Sequence, residues 1–199
     1  ALYGSTPFWQ GLGWGLLTYK PHLGIPVPLA LLISRSFKTI GWAVLVSLVF
    51  ALAALLAFGI ETYKAFLADT DLTWLVLFKG LIPLDRMPSA LSAVLGANGI
   101  IPAAIAAQLM TLLIGCLSVI ALWRQPGVPQ NIRYASLVTA MLMATPHLFH
   151  YDLAIMALPL LLLLREAESS RWLAGERPVL LLLWAGPFLA LPSGGNVSV

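Results

Sequence analysis

The chain has 199 residues, of which 60% are hydrophobic and only 10% are charged, and its mean hydropathy is +0.92. A soluble domain carries about 25% charged residues, so this composition excludes a water-soluble globular fold. The formal net charge of +3 is small and the basic residues are scattered along the sequence, so neither indicates a nucleic-acid partner. We therefore predict an all-α, polytopic transmembrane helical bundle that forms a single membrane domain over residues 1–199.

The first apolar region covers residues 1–34, and Lys20 is its only charged residue. Pro21 follows directly. Proline removes a backbone donor and disfavours helical geometry in the preceding residue, so we predict two short helices that meet at residues 20–22, here named the N-terminal break. A membrane tolerates such a break only where protein or a water-filled cavity satisfies the exposed backbone groups.

The clearest membrane span is residues 40–59, which carry no charge, and the second is residues 100–123, where Gln108 is the only strongly polar residue. Each matches the roughly 20 residues that cross about 30 Å of hydrocarbon. The uncharged run 178–193 is shorter and contains Pro187. It predicts a tilted or partial crossing.

Residues 60–99 form the long connection between the first two spans, and we predict that they lie outside the cytoplasm. Within this outer loop, residues 72–78 and 87–95 are expected to form short helices at the membrane interface, because Trp74 and its apolar neighbours favour that depth.

The second interrupted region covers residues 134–164, in which Asp152 is the only charge and Pro146 precedes it. Residues 145–150 are here named the C-terminal break. Both breaks carry Pro-His-Leu, and both lead into an apolar stretch that ends at an arginine, Arg35 or Arg165. An internal duplication and a chance match both account for this likeness.

Basic residues in the short connections predict the orientation. Because short cytoplasmic loops are enriched in Lys and Arg, these connections are assigned to the cytoplasm, and both breaks then lie towards the outer face. Lys20 and His22 fall in the outer half of the bilayer. The residues concerned are Arg35, Lys38, Arg124, Arg133, Arg165, Arg171 and Arg177.

The polar residues of the C-terminal break need an explanation, because a charge within a membrane helix costs about 2.5–3.5 kcal/mol on insertion scales. If the chain is helical from His147 onward, His147 and Tyr151 share one face, and His150 and Asp152 point elsewhere. The cluster is either a polar helix end capped by Asp152 or a polar cavity that faces a charged ligand. Lys20 likewise either extends to the lipid headgroups or binds phosphate.

No metal or cofactor is expected. The spacing of the two histidines and the acid matches no familiar metal site. Cys116 lies alone in an apolar run and is interpreted as a small apolar side chain.

Two segments resemble motifs of family 87 glycosyltransferases. Residues 15–24, Gly-Leu-Leu-Thr-Tyr-Lys-Pro-His-Leu-Gly, resemble the family's Lys-Pro motif, and residues 145–153, Thr-Pro-His-Leu-Phe-His-Tyr-Asp-Leu, resemble its Ser-Pro-His…Tyr-Asp segment. Their order and separation also agree, and the resemblance spans about residues 10–165. His22 stands where Gln is more frequent and Thr145 where Ser is usual, and both keep a hydrogen-bonding group.

The resemblance implies a GT-C-type membrane hexosyltransferase that moves a sugar, with mannose expected, from a polyprenyl-phosphate carrier to a lipid or glycan acceptor outside the cytoplasm. Its partners would be these two substrates and the lipids of a bacterial plasma membrane. Lys20, His22 and His147 would bind the donor phosphate. The residues that would shape the pocket are Tyr19, His150, Tyr151 and Asp152.

The family resemblance also bears on the catalytic base. GT-C enzymes carry a catalytic acid in their first outer loop, and no acidic residue precedes Phe8. The chain is therefore expected to be the C-terminal half of a longer enzyme, with the base upstream, and Asp152 is a less favoured base. Two other functions remain alternatives: a polytopic transporter or flippase, and a non-catalytic subunit that binds the lipid carrier.

Overall fold

The computed structural model of the chain describes residues 6–79, 81, 84–170 and 172–189. These residues form α-helices and short 3₁₀ turns and contain no strand, which confirms the all-α fold. They group into two compact units, Ala1–Ile82 and Pro83–Val199. The α-helices are α1 (Pro7–Leu16), α2 (Val27–Ile33), α3 (Phe37–Phe78), α4 (Ala90–Gly96), α5 (Ile101–Arg124), α6 (Gln130–Ala144), α7 (Ala157–Ser169) and α8 (Glu176–Leu189).

Two glycines allow α1 to pack closely on α3 in the first unit. Gly11 and Gly15 are both buried in this contact. A Cβ atom on Gly15 would lie 2.7 Å from the Ala43 carbonyl oxygen and 2.7 Å from the Cβ of Val46. Small residues at this four-residue spacing let the backbones of membrane helices approach each other. The α1–α3 contact therefore depends on glycine.

Helix α3 bends at Gly59, the last residue of the first predicted span. Gly59 has φ 76° and ψ 169°, a conformation that is essentially restricted to glycine. Beyond the bend, the Tyr63 hydroxyl donates a 2.7 Å hydrogen bond to the Ala51 carbonyl. Residues twelve apart in a straight helix are separated by about 18 Å, so the chain after Gly59 turns back towards the segment before it.

The second unit is built around α5 and α6, with α4 packed on α5 and α7 packed on α6. Gly115 brings α5 close to α6, since a Cβ atom there would lie 3.2 Å from the Cα of Ala140. The interior of the unit contains fully buried apolar side chains, among them Leu91, Val119 and Leu137. The bundle positions the end of α6, where the C-terminal break begins.

Two described helices are long and apolar enough to cross a membrane, Phe37–Asp69 and Ile101–Arg124. The first contains the predicted span 40–59, and the second covers the predicted span 100–123 except for Ile100, which precedes the helix. None of the most apolar window of the first is buried, and only 17% of that of the second, so their apolar side chains face outward. Soluble proteins rarely expose an apolar surface of this extent to water, and the protein is therefore membrane-associated.

The remaining predicted segments are helical over different ranges. The interfacial helix expected at 72–78 is the end of α3, so much of the connection 60–99 is helical. The helix expected at 87–95 is Ala90–Gly96. The third apolar run corresponds to α8, and its residues 190–193 lie outside the described part of the chain.

Candidate functional site: the two helix breaks

The N-terminal break lies where the sequence predicts it. Helix α1 ends at Leu16, the 3₁₀ turns Leu17–Tyr19 and Pro21–Gly24 follow, and α2 begins at Val27. Lys20 joins the two turns with φ −129° and ψ 74°. This backbone is far from helical, as expected of a residue before proline.

A side chain of α3, Ser47, contacts the N-terminal break. The hydroxyl groups of Thr18 and Ser47 lie 2.8 Å apart, and both are within hydrogen-bonding distance of the Gly15 carbonyl at the end of α1. They lie beside a carbonyl in the last turn of α1, where carbonyl groups have few partners within the helix. Leu23, which is 2% exposed, fixes the second turn in the interior of the unit.

The predicted ligand-binding residues of this break lie at its surface. Tyr19 is 65% exposed, and Lys20 and His22 are half-buried. Lys20 and His22 thus lie on an irregular backbone, on either side of Pro21. This backbone follows α1, which packs on α3. Lysine and histidine side chains can donate hydrogen bonds to an anion.

The C-terminal break begins at the end of α6. Pro146 lacks an N–H group, so the Leu142 carbonyl accepts instead from the amide of Thr145, at 3.2 Å. The Thr145 hydroxyl donates to the Met141 carbonyl at 3.0 Å. Residues 145–149 are not helical, and a 3₁₀ helix then runs over His150–Met156.

The condition under which His147 and Tyr151 would share a helical face, helix from His147 onward, is therefore not met. The chain leaves α6 at Thr145 and returns to helical geometry only at His150. The reason is Pro146, whose effect extends over the following residues because they leave the axis of α6. His147 is half-buried, and Tyr151 is 67% exposed.

Asp152 caps the 3₁₀ helix. Its Oδ2 accepts a hydrogen bond from the Phe149 amide at 3.3 Å, and its own amide donates to the Phe149 carbonyl at 2.9 Å. Its side chain is 5% exposed. This is the polar helix end of the sequence analysis, although the helix is 3₁₀ and not α.

His150 and Tyr151 have distinct surroundings. His150 Nδ1 lies 2.8 Å from the Arg86 carbonyl oxygen. A carbonyl can only accept, so Nδ1 carries the proton, and Nε2 of a neutral His150 is an acceptor. Tyr151 stacks on Phe149, with ring centroids 5.5 Å apart.

Gln108 is an isolated polar residue in its span, and the sequence alone indicates no role for it. Its side chain is 7% exposed. Its Oε1 accepts from the Leu91 amide at 3.3 Å, and its Nε2 donates to the Met143 carbonyl at 3.0 Å. The signal was its isolation, because a lone polar residue in a membrane span usually faces the protein interior.

An apolar cavity of ≈ 330 Å³ adjoins the C-terminal break. Polar groups of Gln108, Thr111 and Thr145 occur among leucines in its wall. The residues that line it are Pro88, Ser89, Ala90, Gln108, Thr111, Thr139, Leu142, Met143, Thr145, Leu148, Leu153, Met156, Pro159, Leu160, Leu163 and Leu183. A second cavity, of ≈ 560 Å³, is bounded by His150 and by residues of α4 and the segment before it.

The structure thus places the predicted site residues in two groups. Tyr19, Lys20 and His22 lie together in the first unit. The predicted site residues that lie in the second unit are His147, His150, Tyr151 and Asp152. Within the described part of the chain, no group of three or more His, Cys, Asp or Glu side chains is arranged to hold a metal ion.

Comparison with known proteins gives one finding. The sequence model described as Glycosyltransferase family 87 matches residues 1–146. The matched region contains the whole N-terminal break and ends at Pro146, the second residue of the C-terminal break. No curated protein and no solved structure shows significant similarity to the chain.

Proposed function

This chain belongs to glycosyltransferase family 87. We propose that it acts in the transfer of a hexose from a polyprenyl-phosphate carrier to an acceptor hydroxyl outside the cytoplasm, and that the hexose is mannose. Family membership favours a transferase over a transporter or a non-catalytic carrier-binding subunit. A membrane glycosyltransferase requires a sugar donor and an acceptor, and the proposal names the lipid carrier as the donor.

The observation that carries this proposal is the apolar cavity beside the C-terminal break. At ≈ 330 Å³, it falls within the range of about 300–1,000 Å³ that ligand pockets occupy. Its wall combines leucine side chains with residues of the break, among them Thr145 and Leu148. A donor with an isoprenoid tail and a phosphate needs an apolar surface next to hydrogen-bond donors, and this combination suits it better than it suits a soluble nucleotide sugar.

We assign the donor phosphate to Lys20, His22 and His147. As the bond between sugar and phosphate oxygen breaks, negative charge grows on the leaving phosphate. A cation or N–H donor fixed beside that oxygen stabilises the transition state more than the ground state. The half-buried Lys20 and His22 follow one another across Pro21 and are suited to this role, and His147 is contributed by the second break.

The other residues of the breaks shape the pocket. Asp152 fixes the 3₁₀ helix, the Arg86 carbonyl sets the tautomer of His150, and the exposed rings of Tyr19 and Tyr151 flank the two breaks. No residue of the two breaks is assigned as the general base that deprotonates the acceptor hydroxyl. In this proposal the enzyme lies in a bacterial plasma membrane with both breaks towards the outer surface.

The test is a transfer assay with the full-length protein in lipid nanodiscs. We expect labelled sugar to pass from a polyprenyl-phosphate mannose donor to an extracted glycolipid acceptor fraction, with no transfer from the nucleotide-linked sugar. Transfer from the nucleotide donor alone would contradict the proposal. Transport of the carrier across proteoliposomes without sugar transfer would favour the flippase instead.

A further inference from the structure

Gln108 connects the start of α4 with the end of α6, where the C-terminal break begins. The first turn of α4 exposes the Leu91 amide, because initial N–H groups of a helix have no partner within it. The last turn of α6 exposes the Met143 carbonyl, whose partner in a continuous helix would be the amide of His147. One buried side-chain amide pairs with both groups, at 3.3 Å and 3.0 Å.

Thr111 reinforces the connection from the next turn of α5. Its hydroxyl lies 2.8 Å from the Gln108 carbonyl and 3.2 Å from the Met143 carbonyl. The end of α6 therefore has two side-chain donors from α5 beside it. The single hydroxyl proton of Thr111 can be donated to only one of these carbonyls at a time, whereas Gln108 Nε2 donates to the Met143 carbonyl. Because this carbonyl is paired, the chain leaves α6 before His147 without an unpaired backbone acceptor there.

The same arrangement fixes the other side of the break. His150 is hydrogen-bonded to the Arg86 carbonyl, and Met87, directly after it, is 2% exposed. The segment from Arg86 leads into α4, where Gln108 pairs with Leu91. The backbone of the break is thus attached to α5 before His147 and to the segment before α4 at His150. Gln108 forms the first attachment through Met143 and pairs with Leu91 in the helix that follows the second.

We infer that Gln108 is a positioning residue for donor binding: its amide holds α4 and the end of α6 together and so sets the positions of His147 and His150. The inference rests on the proposed function in one respect, that His147 binds the donor phosphate. Gln108 lines the apolar cavity but acts through the histidines.

The test compares three variants of the full-length protein in nanodiscs. Gln108→Met removes both hydrogen bonds at similar side-chain volume, and Thr111→Val removes the hydroxyl group alone. The matched control is Ser118→Ala on the same helix, whose exposed hydroxyl donates to the Ile114 carbonyl at 2.8 Å. Hydrogen–deuterium exchange of residues 145–152 and the KM values for donor and acceptor are measured for each.

We expect Gln108→Met to accelerate exchange over residues 145–152 about tenfold, since each buried group left unpaired weakens the local structure. The donor KM should rise about tenfold at an unchanged acceptor KM. Thr111→Val should show a two- to threefold effect of the same kind, by order of magnitude, and Ser118→Ala none. A merely structural role would lower the active fraction, and hence the apparent kcat, at an unchanged donor KM.

Unchanged exchange in Gln108→Met would overturn the inference whatever the activity. Faster exchange with an unchanged donor KM would overturn the positioning role. If the wild-type protein transfers nothing from a polyprenyl-phosphate donor, the proposed function fails, and the exchange comparison with Ser118→Ala still decides whether Gln108 orders the break.

Discussion

Asp152 shows how one residue can be explained by local backbone geometry. Its carboxylate is buried and accepts from the Phe149 amide at the start of the 3₁₀ helix. Of the two interpretations that the sequence leaves open, the structure supplies the contacts for the cap. Apart from these two interpretations, the sequence leaves Asp152 as a less favoured catalytic base. A cap needs only an acceptor oxygen, whereas a base needs an ionisable carboxylate.

Substitution of Asp152 separates these two roles. Asp152→Ala removes the cap and should lower the free energy of unfolding by about 1 kcal/mol, which shifts the melting temperature of a chain of this size by about 2–4 °C. Asp152→Asn keeps an acceptor oxygen and should retain most of the stability and the transfer rate. Thermal unfolding in detergent and the transfer assay measure both. Loss of transfer in Asp152→Asn as complete as in Asp152→Ala would contradict the cap.

Individual residues differed in how far the sequence revealed their role. Pro21 and Pro146 could be located because the effect of proline on its neighbours is local. Gln108 stood out by polarity, but its partners Leu91 and Met143 are distant in sequence and only the packing of α4, α5 and α6 brings them together. The relative placement of His147 and Tyr151 could be predicted only on a condition, because the sequence does not show where helical geometry resumes after a proline.

At the scale of elements, the contact between α1 and α3 is a direct consequence of two glycines. Gly15 faces α3, with the Ala43 carbonyl and the Val46 side chain within 2.7 Å of the position of its missing Cβ. Gly13, on another face of α1, has no atom within 4 Å of that position. The two residues offer a matched pair on one helix.

We expect Gly15→Ala to destabilise the protein by about 1–3 kcal/mol, because the added methyl group forces the backbones apart. Gly13→Ala should be neutral or stabilising by up to about 1 kcal/mol, since alanine favours helix over glycine. Thermal unfolding in the same detergent compares them. Equal melting temperatures for the two variants would show that α1 does not pack on α3 through Gly15.

The elements also show why charge alone does not reveal a loop. Residues 100–123 were predicted from uncharged length, and α5 covers Ile101–Arg124. Residues 60–78 carry several charges and were assigned to a connection, yet they continue as helix after the bend at Gly59. Lys64 pairs with Glu61 at 2.7 Å along this helix, an arrangement that suits a helix in contact with water. Hydropathy detects the spans, but it does not distinguish a polar helix from a loop.

At the scale of the whole molecule, the distribution of basic residues predicts an orientation in the membrane. Single cysteines in a Cys116→Ser background test it with a membrane-impermeant maleimide. Lys79→Cys, at an exposed position after α3, should be labelled in intact cells. Gln125→Cys, in the exposed turn after α5, should be labelled only after permeabilisation. The reverse pattern would place the breaks towards the cytoplasm and rule out an extracytoplasmic acceptor.

The central proposal is that Lys20 and His147 both bind the phosphate of the sugar donor. A double-mutant cycle on the dissociation constant of a polyprenyl-phosphate sugar measures this directly in the full-length protein, with Lys20→Ala, His147→Ala and the double variant. Residues that share one ligand network couple by about 0.5–3 kcal/mol, whereas independent sites add within about 0.3–0.5 kcal/mol. The account predicts a coupling above about 0.5 kcal/mol. Additive effects, or wild-type affinity in either single variant, would contradict it.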